Sequence, residues 1–259
     1  MAASSSAHVL LPPAGVALLA LLLVMASSPE AAQAAAAGLS VGFYGESCPQ
    51  AEAIVRQTVS KAFKKEPGTP ADLIRLFFHD CFVREDEVLP NVPHPDFNTQ
   101  QLTQNFTSKG FTVEEMVTLS GAHSIGTSHC SSFTDRLYKY YGTYGTDPSI
   151  PATYAAYLKS KCPPETAAQQ DPTMVQLDDV TPFRLDNQYY KNVLSGHVAF
   201  GSDVALLDTP ETAALVRLYA KDPAVWPARF AAALVKVSKL YVLTGGEGEI
   251  RLNCSRVNS

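Results

Sequence analysis

His79 and Arg75 are the first residues whose types and spacing suggest chemistry. They stand four residues apart in LIRLFFHDCFV (Leu73–Val83), so an α-helix places both side chains on one face. The rest of this segment is largely apolar, and a cation and an imidazole facing apolar surroundings are costly without a polar or metallic partner. Two interpretations are therefore open: backbone carbonyls satisfy the pair, or a polar or metallic group lies opposite it.

His123 is the second histidine of interest. It lies in MVTLSGAHSIG (Met116–Gly126), at the end of a predicted helix and directly after Gly121 and Ala122. Small residues there allow a flat ligand or another helix to approach closely. A single histidine at a helix end is also a common structural feature, so its position alone predicts no ligand.

An acidic cluster forms the third candidate site. Asp178, Asp179 and Thr181 lie close together in a proline-containing stretch, and Asp186 follows eight residues after Asp178. Carboxylates and a hydroxyl in an irregular loop are the hard oxygen ligands that calcium prefers. The alternative is an ordinary acidic turn in contact with solvent.

The elements that carry these residues are predicted to be helices. Apolar periodicity indicates a helix over Ala71–Val83, and Thr112 with Glu115 forms a capping box for a helix that runs through Leu119. Only Ile250–Leu252 has strand-like alternation, so the fold class is mainly α. The other predicted helices are Ala51–Lys65, Thr99–Lys109, Ser131–Tyr141, Pro151–Lys161, Leu185–Val193, Pro210–Lys221 and Pro227–Leu243.

Composition excludes several classes of protein. Of 259 residues, 46% are hydrophobic and 17% are charged, which is typical of a globular chain rather than a disordered one. The net charge is −5 and there is no run of Lys or Arg, so we expect neither a nucleic-acid partner nor binding to an anionic membrane.

The N-terminal residues predict export. Val16–Met25 is an unbroken apolar run, and Ala32–Ala34 fits a signal-peptidase site, so residues 1–34 are predicted to be a signal peptide. A buried N-terminal helix is the alternative; a membrane anchor needs a longer run. Export permits disulfides, although five cysteines leave at least one without an intramolecular partner. The sequons at Asn105 and Asn253 are candidate glycan sites.

Together the motifs resemble the class III secretory plant haem peroxidases. The resemblance rests on the two histidine segments and on three flanking signatures in the family's order: SVGFYGESCPQAEAIV (Ser40–Val55), LDNQYY (Leu185–Tyr190) and GEIRLNCSRVNS (Gly248–Ser259). It covers nearly all of residues 35–259 as one haem peroxidase domain. It implies the plant haem peroxidase fold, with haem b between a distal and a proximal helix.

The resemblance also implies roles for the site residues. His123 corresponds to the histidine that binds the haem iron, and Asp203 to the carboxylate bonded to its other ring nitrogen. His79 corresponds to the distal base, Arg75 to the residue that stabilises charge as the peroxide O–O bond breaks, and Phe78 to the aromatic wall over the haem.

The implied reaction oxidises small phenolic donors with hydrogen peroxide, and Pro93 corresponds to a residue that helps to hold such donors. The family comparison further implies a secreted monomer of the cell wall or apoplast, a Cys130–Cys162 disulfide and two calcium sites. The distal calcium residues are Asp80 and the Val83 carbonyl; the proximal ones are Ser124, Asp178, Thr181, Asp186 and the Arg184 carbonyl.

The sequence departs from the family after Arg84, where a long internal block is missing. Residues 35–84 then form a partial distal part and residues 85–259 the proximal part, so the distal half is truncated. The block would have carried the family partners of Cys48, Cys81 and Cys254, the other distal calcium ligands and the hydrogen-bond acceptor of His79. An inactive or haem-free family product, or a calcium-binding module without haem, is therefore the alternative to an active peroxidase.

Overall fold

The computed structural model describes residues 39–83, 91–143, 145–167, 171–244, 246, 248–253, 256 and 258. The predicted signal peptide (residues 1–34), the junction after Arg84 and Cys254 lie outside these ranges. Within them the chain divides into two units. One contains the described residues of 39–47 and 243–258, and the other is Cys48–Val242.

Helices dominate the larger unit, which confirms the mainly α fold class. Two three-residue strands, β1 (Thr127–His129) and β2 (Met174–Gln176), pair antiparallel with Thr127 opposite Gln176. The helices are α1 (Ala51–Lys65), α2 (Thr69–Phe78), α3 (Thr99–Thr107), α4 (Val113–Ser120), α5 (Thr134–Tyr138), α6 (Ala152–Lys161), α7 (Gln188–Ser195), α8 (Gly201–Ala205), α9 (Pro210–Lys221) and α10 (Val225–Val237).

Local sequence signals explain where several helices begin. The predicted capping box at Thr112 and Glu115 is present at the start of α4, and a second one joins Asn98 and Gln101 at the start of α3. Helix α2 continues into a π-helical turn, His79–Val83, so the predicted helix over Ala71–Val83 is formed with wider winding in its last part.

Two apolar clusters hold the larger unit together. The main core gathers residues of α4, α7, α9 and α10, among them Val117, Tyr190, Tyr219 and Trp226. The second core lies around the Cys130–Cys162 disulfide and includes residues of α5, α6 and β2. Helices α1 and α2 lie at the periphery, because none of their residues is fully buried.

The smaller unit has little regular structure. Phe43–Gly45 forms a short 3₁₀ turn, and the side chain of Asn258 accepts a hydrogen bond from the backbone of Leu252. The strand-like alternation at Ile250–Leu252 does not form a strand: these residues are irregular, and Ile250 and Leu252 are more than 90% exposed. Without an apolar face to cover them, alternation alone does not produce a strand.

Other differences concern short elements and helix ends. The predicted helix Ser131–Tyr141 is reduced to α5, and α10 begins at Val225 and ends at Val237 instead of spanning Pro227–Leu243. Helix α8 and the two strands were not predicted. In the described ranges no helix has the length and apolar character that crossing a bilayer requires.

Candidate active site and cation site

His123 and Asp203 form a hydrogen-bonded pair. Helix α4 is followed by the 3₁₀ turn Gly121–Ser124, which presents His123, and α8 presents Asp203. The distance from His123 Nδ1 to Asp203 Oδ1 is 2.9 Å. Because a carboxylate only accepts, Nδ1 carries the proton, and in the neutral imidazole Nε2 has a lone pair available for another ligand. The His123 side chain is 38% exposed, whereas that of Asp203 is 4% exposed.

The electrostatics of this pair favour a strongly donating imidazole. Burial alone would lower the pKa of His123, but the charge of Asp203 and its hydrogen bond outweigh that effect and raise the pKa. A buried carboxylate that holds the Nδ1 proton of a histidine fixes the ring orientation and increases the basicity of the other nitrogen. This is the arrangement expected behind a metal-binding histidine.

Tyr189 completes the surroundings of the pair and was not assigned from the sequence. Its hydroxyl donates to Asp203 Oδ1 at 2.7 Å, and its ring lies edge-on to His123 with centroids 6.0 Å apart. The ring of Phe200 also lies edge-on to this imidazole, with ring centroids 5.2 Å apart. Burial, the charge of Asp203 and this hydrogen bond raise the pKa of Tyr189 far above its ordinary value. The phenol therefore remains a neutral donor.

Aromatic residues of α7 and α10 hold the end of α4 in place. Trp226 Nε1 donates to the Thr118 carbonyl at 2.9 Å, and the Tyr190 hydroxyl donates to the Val117 carbonyl at 2.9 Å. A Cβ at Gly121 would lie only 2.6 Å from the Tyr190 hydroxyl and 2.7 Å from the Trp226 ring. Gly121 thus allows side chains of neighbouring helices to approach closely. Of the two explanations that the sequence offered for the small residues before His123, a flat ligand or another helix, the structure has the second.

Arg136 fixes the segment that leads into α8. Its guanidinium pairs with Asp147 (Nε to Oδ2, 2.8 Å) and donates to the carbonyls of Val198 and Ala199 at 2.9 and 2.7 Å. Both charged side chains are almost completely buried. The carbonyls belong to the residues just before Phe200 and α8, so this ion pair positions the approach to Asp203.

On the distal side, Arg75 lies in the last part of α2, and His79 follows one turn later at the start of the π-helical turn His79–Val83. The backbone N–H of His79 donates to the Arg75 carbonyl. His79 is half-buried and Arg75 is exposed. Burial, and then the positive charge of Arg75, lower the pKa of His79, so its imidazole is neutral at neutral pH and able to accept a proton. Phe78 lies beside it with ring centroids 6.4 Å apart.

The two histidines make no direct contact with each other in the described residues. The ring of His79 contacts Phe78, and that of His123 contacts Tyr189 and Phe200. Phe78 and Ala122 nevertheless belong to the same apolar core. The start of α2 also approaches the residues after His123, because a Cβ at Gly126 would lie 3.2 Å from Ala71 Cβ.

Of the candidate proximal calcium residues, Thr181 contacts both Asp178 and Asp186, and Asp178 is fully buried. Asp178 Oδ1 accepts from the backbone N–H groups of Val180 and Thr181 and from Asn192 Nδ2, at 2.8, 3.2 and 3.1 Å. The Thr181 hydroxyl lies 3.1 Å from Asp178 Oδ2 and 3.2 Å from Asp186 Oδ1. All these donors are neutral, so a cation would find a buried carboxylate charge that they leave uncompensated.

Ser124 supplies the test of whether a cation fits. Its Oγ is buried and has no hydrogen-bond partner in the described residues, which is costly unless the oxygen serves another ligand. The side chains of Ser124, Thr181, Asp178 and Asp186 offer the hard oxygen ligands that calcium prefers. The Arg184 side chain lies near Asp186, with Nε to Oδ2 at 3.7 Å. In the described part of the chain, no cluster of three or more His, Cys, Asp or Glu side chains is arranged to hold a metal.

The remaining candidate residues are more dispersed. Asp80 is exposed, the Val83 side chain is buried in the main core, and Pro93 is half-buried. The Cys130–Cys162 disulfide is formed as the resemblance implies, with Cα atoms 5.5 Å apart.

Two of the three remaining cysteines lie in the described ranges. Cys48 is exposed and Cys81 is half-buried, and both are free thiols. Burial, and then the charge of Asp80, raise the pKa of the Cys81 thiol, which lowers its reactivity.

This mainly α chain has a carboxylate-bound histidine, His123, and a second, neutral histidine, His79, beside an arginine, and both are residues that the peroxidase resemblance singled out. Comparison with known proteins agrees. The Peroxidase family profile matches residues 84–222, which is more than half of the chain. The chain belongs to the plant peroxidase family, and the profile match begins where the resemblance places the internal break.

Curated plant peroxidases are similar over most of the chain. Peroxidase 2 of Zea mays is 34% identical over 307 aligned positions, covering 85% of this chain and 89% of the relative. Peroxidase 5 of Vitis vinifera is 34% identical (86% and 92% covered), and Peroxidase 66 of Arabidopsis thaliana is 32% identical (86% and 93% covered). An alignment over 307 positions exceeds the 259 residues of this chain, so the relative has residues that this chain lacks.

Proposed function

We propose that this peroxidase is a secreted haem enzyme that oxidises small phenolic donors with hydrogen peroxide. The observation that carries the proposal is the His123–Asp203 pair, in which the carboxylate takes the Nδ1 proton and leaves Nε2 available. Bound at Nε2, haem would supply a redox-active iron that takes two oxidising equivalents from each hydrogen peroxide. The residues fit this group by the chemistry of the donor set.

His79, Arg75 and Asp203 would each have a separate role in proton transfer and charge stabilisation. The neutral imidazole of His79 accepts a proton from hydrogen peroxide and later returns it to the departing oxygen. The guanidinium of Arg75 stabilises the negative charge that develops on that oxygen. Asp203 holds the Nδ1 proton of His123 and so maintains its orientation and electron donation.

The overall reaction oxidises two phenols for each peroxide: two ArOH and one H₂O₂ give two ArO• and two H₂O. Each phenol loses one electron and one proton, and the two oxygens of peroxide leave as water. Pro93 is the residue proposed to help hold the donor; it is half-buried beside the exposed His94, whose ring stacks on Phe97 with centroids 5.2 Å apart.

A second candidate function is a haem-binding family member with weak or no peroxide chemistry. It is favoured by one observation: in the described residues the ring of His79 has no hydrogen-bond partner, whereas His123 has Asp203. A histidine without an acceptor for its second ring nitrogen is not held in one tautomer. The residues that this chain lacks relative to its relatives agree with this alternative.

Visible absorption of the haem-supplemented, full-length mature chain separates the candidates. We expect a haem band in the native protein, its loss in His123→Ala and its retention in His129→Ala, an exposed histidine on β1. No haem band in the native protein, or an equal band in His123→Ala, would overturn the haem assignment.

Peroxide tests the distal side in the same protein. One equivalent of hydrogen peroxide should shift the haem band, and a phenol should restore it. His79→Ala should keep the haem band but slow the peroxide-induced shift by about 10²–10⁴-fold, the usual contribution of a general base, while His94→Ala reacts normally. A native protein that binds haem but ignores peroxide would select the second candidate.

We further propose that calcium binds at Ser124, Asp178, Thr181, Asp186 and the Arg184 carbonyl. The buried, partnerless Ser124 Oγ and the buried Asp178 carboxylate support this site. Asp178→Asn should abolish calcium binding measured by titration calorimetry, whereas the neighbouring exposed Asp179→Asn should not. Equal affinities in the two variants would rule the site out. The distal pair Asp80 and Val83 forms only part of a second site.

Secretion and glycosylation complete the proposal. The predicted signal peptide directs export, and the proposed location of the protein is the cell wall or apoplast. The protein is proposed to be a monomer there. Of the two sequons, Asn253 is exposed, whereas the Asn105 amide donates to the Asn91 carbonyl at 3.2 Å and its Oδ1 is buried. We therefore assign the glycan to Asn253. Glycosidase treatment should lower the mass of the secreted native protein but leave the mass of the secreted Asn253→Gln protein unchanged.

A further inference from the structure

One oxygen atom of Asp203 receives two hydrogen bonds from different elements. His123 Nδ1 lies 2.9 Å from Oδ1, and the Tyr189 hydroxyl donates to the same Oδ1 at 2.7 Å. Asp203 and Tyr189 are 3% and 2% exposed, so water contributes little to this arrangement. The imidazole and the phenol therefore share a single buried acceptor atom.

We propose that Tyr189 is a positioning residue that sets the strength of the His123–Asp203 hydrogen bond. Each donor draws electron density from Oδ1, so the phenol makes this oxygen a weaker acceptor for the Nδ1 proton. His123 consequently keeps more neutral imidazole character than it would opposite an unshared carboxylate. The inference rests on the proposed function, in which His123 Nε2 binds haem iron.

Tyr190 provides the matched comparison. It follows Tyr189 on α7, is equally buried, and contacts the Tyr189 ring edge-on with centroids 5.0 Å apart. Its hydroxyl donates to the backbone carbonyls of Val117 and Thr118 at 2.9 and 3.1 Å instead of a carboxylate. Loss of either hydroxyl removes a buried hydrogen bond, but only Tyr189 touches Asp203.

The Fe(III)/Fe(II) midpoint potential of the haem-loaded protein is the first readout. Tyr189→Phe leaves Oδ1 entirely to His123, which strengthens electron donation to the iron and favours the ferric state. We expect an about tenfold shift of the equilibrium toward Fe(III), a decrease of ~59 mV for this one-electron couple. Tyr190→Phe should leave the potential unchanged.

If Tyr189 had a merely structural role, Tyr189→Phe would change the midpoint potential in the opposite direction. If the Tyr189 hydroxyl served only to hold Asp203 in place, its loss would loosen the carboxylate, weaken the bond to His123 and raise the potential, as Asp203→Asn should. A raised or unchanged potential in Tyr189→Phe, or an equal decrease in Tyr190→Phe, would overturn the proposal.

Nuclear magnetic resonance of the haem-free protein keeps this test separate from haem binding. The Nδ1 proton of His123 should move downfield in Tyr189→Phe, because its hydrogen bond to Asp203 becomes stronger, and should not move in Tyr190→Phe. A downfield shift supports the sharing of Oδ1 even in a chain that fails to bind haem. An upfield or absent shift refutes it, whatever the haem-binding result.

Discussion

Replacing Gly121 by alanine tests the packing around the turn that carries His123. The added Cβ would lie 2.6 Å from the Tyr190 hydroxyl and 2.7 Å from two atoms of the Trp226 ring. Both side chains are fully buried and are tied to backbone carbonyls of α4, so neither can move without losing a hydrogen bond. We therefore expect Gly121→Ala to destabilise the fold.

The expected change in the free energy of unfolding is the sum of two costs and one gain. Overpacking a core costs about 1–3 kcal/mol, and losing one buried hydrogen bond costs roughly 0.5–1.5 kcal/mol. Against these, a glycine-to-alanine change gains about 0.4–1 kcal/mol by restricting the unfolded chain. The clash prevails, and the net loss is about 2 kcal/mol of the free energy of unfolding.

Urea unfolding followed by tryptophan fluorescence measures this loss directly, because Trp226 is the only tryptophan in the chain and lies against Gly121. Gly145→Ala is the control: its Cβ would have no neighbour within 4 Å, and we expect a change within about ±0.5 kcal/mol. Equal unfolding midpoints for Gly121→Ala and the native protein would refute the packing argument.

Two further predictions concern the second core. Removing the disulfide as Cys130→Ala with Cys162→Ala, which span 32 residues, should cost about 3–4 kcal/mol and lower the melting temperature; an unchanged melting temperature would contradict this. Burial alone would raise the pKa of Asp147, but hydrogen bonds from Ser149 and the charge of Arg136 lower it. Its contribution to stability is therefore present above the ordinary carboxyl pKa and is lost as pH falls through the lowered one. Arg136→Met should lower the free energy of unfolding, measured in urea at pH 7, by about 3–5 kcal/mol. The variant should then lose less additional stability than the native protein when the pH is lowered. If acidification destabilises both proteins equally, the ion pair does not have this role.

Elements encoded by neighbouring residues were predictable from the sequence. The start of α4 depends on Thr112 and Glu115, three residues apart, and the structure has the predicted capping box. Helices α1 and α9 likewise have the predicted bounds, Ala51–Lys65 and Pro210–Lys221. In each case the signal lies within the element itself.

Elements that depend on distant partners were not predictable in this way. Strand β1 has three residues, too few for a periodic pattern, and it exists because Thr127 pairs with Gln176 far along the chain. The site follows the same rule. Tyr189 and Tyr190 are chemically identical neighbours, yet only the packing of α7 against α8 and α4 decides that one bonds a carboxylate and the other a backbone carbonyl.

The buried Arg136 guanidinium has a consequence for the order of folding. It joins α5 to carbonyls 62 and 63 residues away, just before the helix that carries Asp203. His123 and Asp203 are themselves 80 residues apart, and contacts of such separation form slowly because a long loop must close first. We therefore expect the His123–Asp203 hydrogen bond to form late in folding, together with the contacts of Arg136 that fix the approach to Asp203. Until that bond forms, the imidazole of His123 lacks the carboxylate that fixes the orientation of its ring.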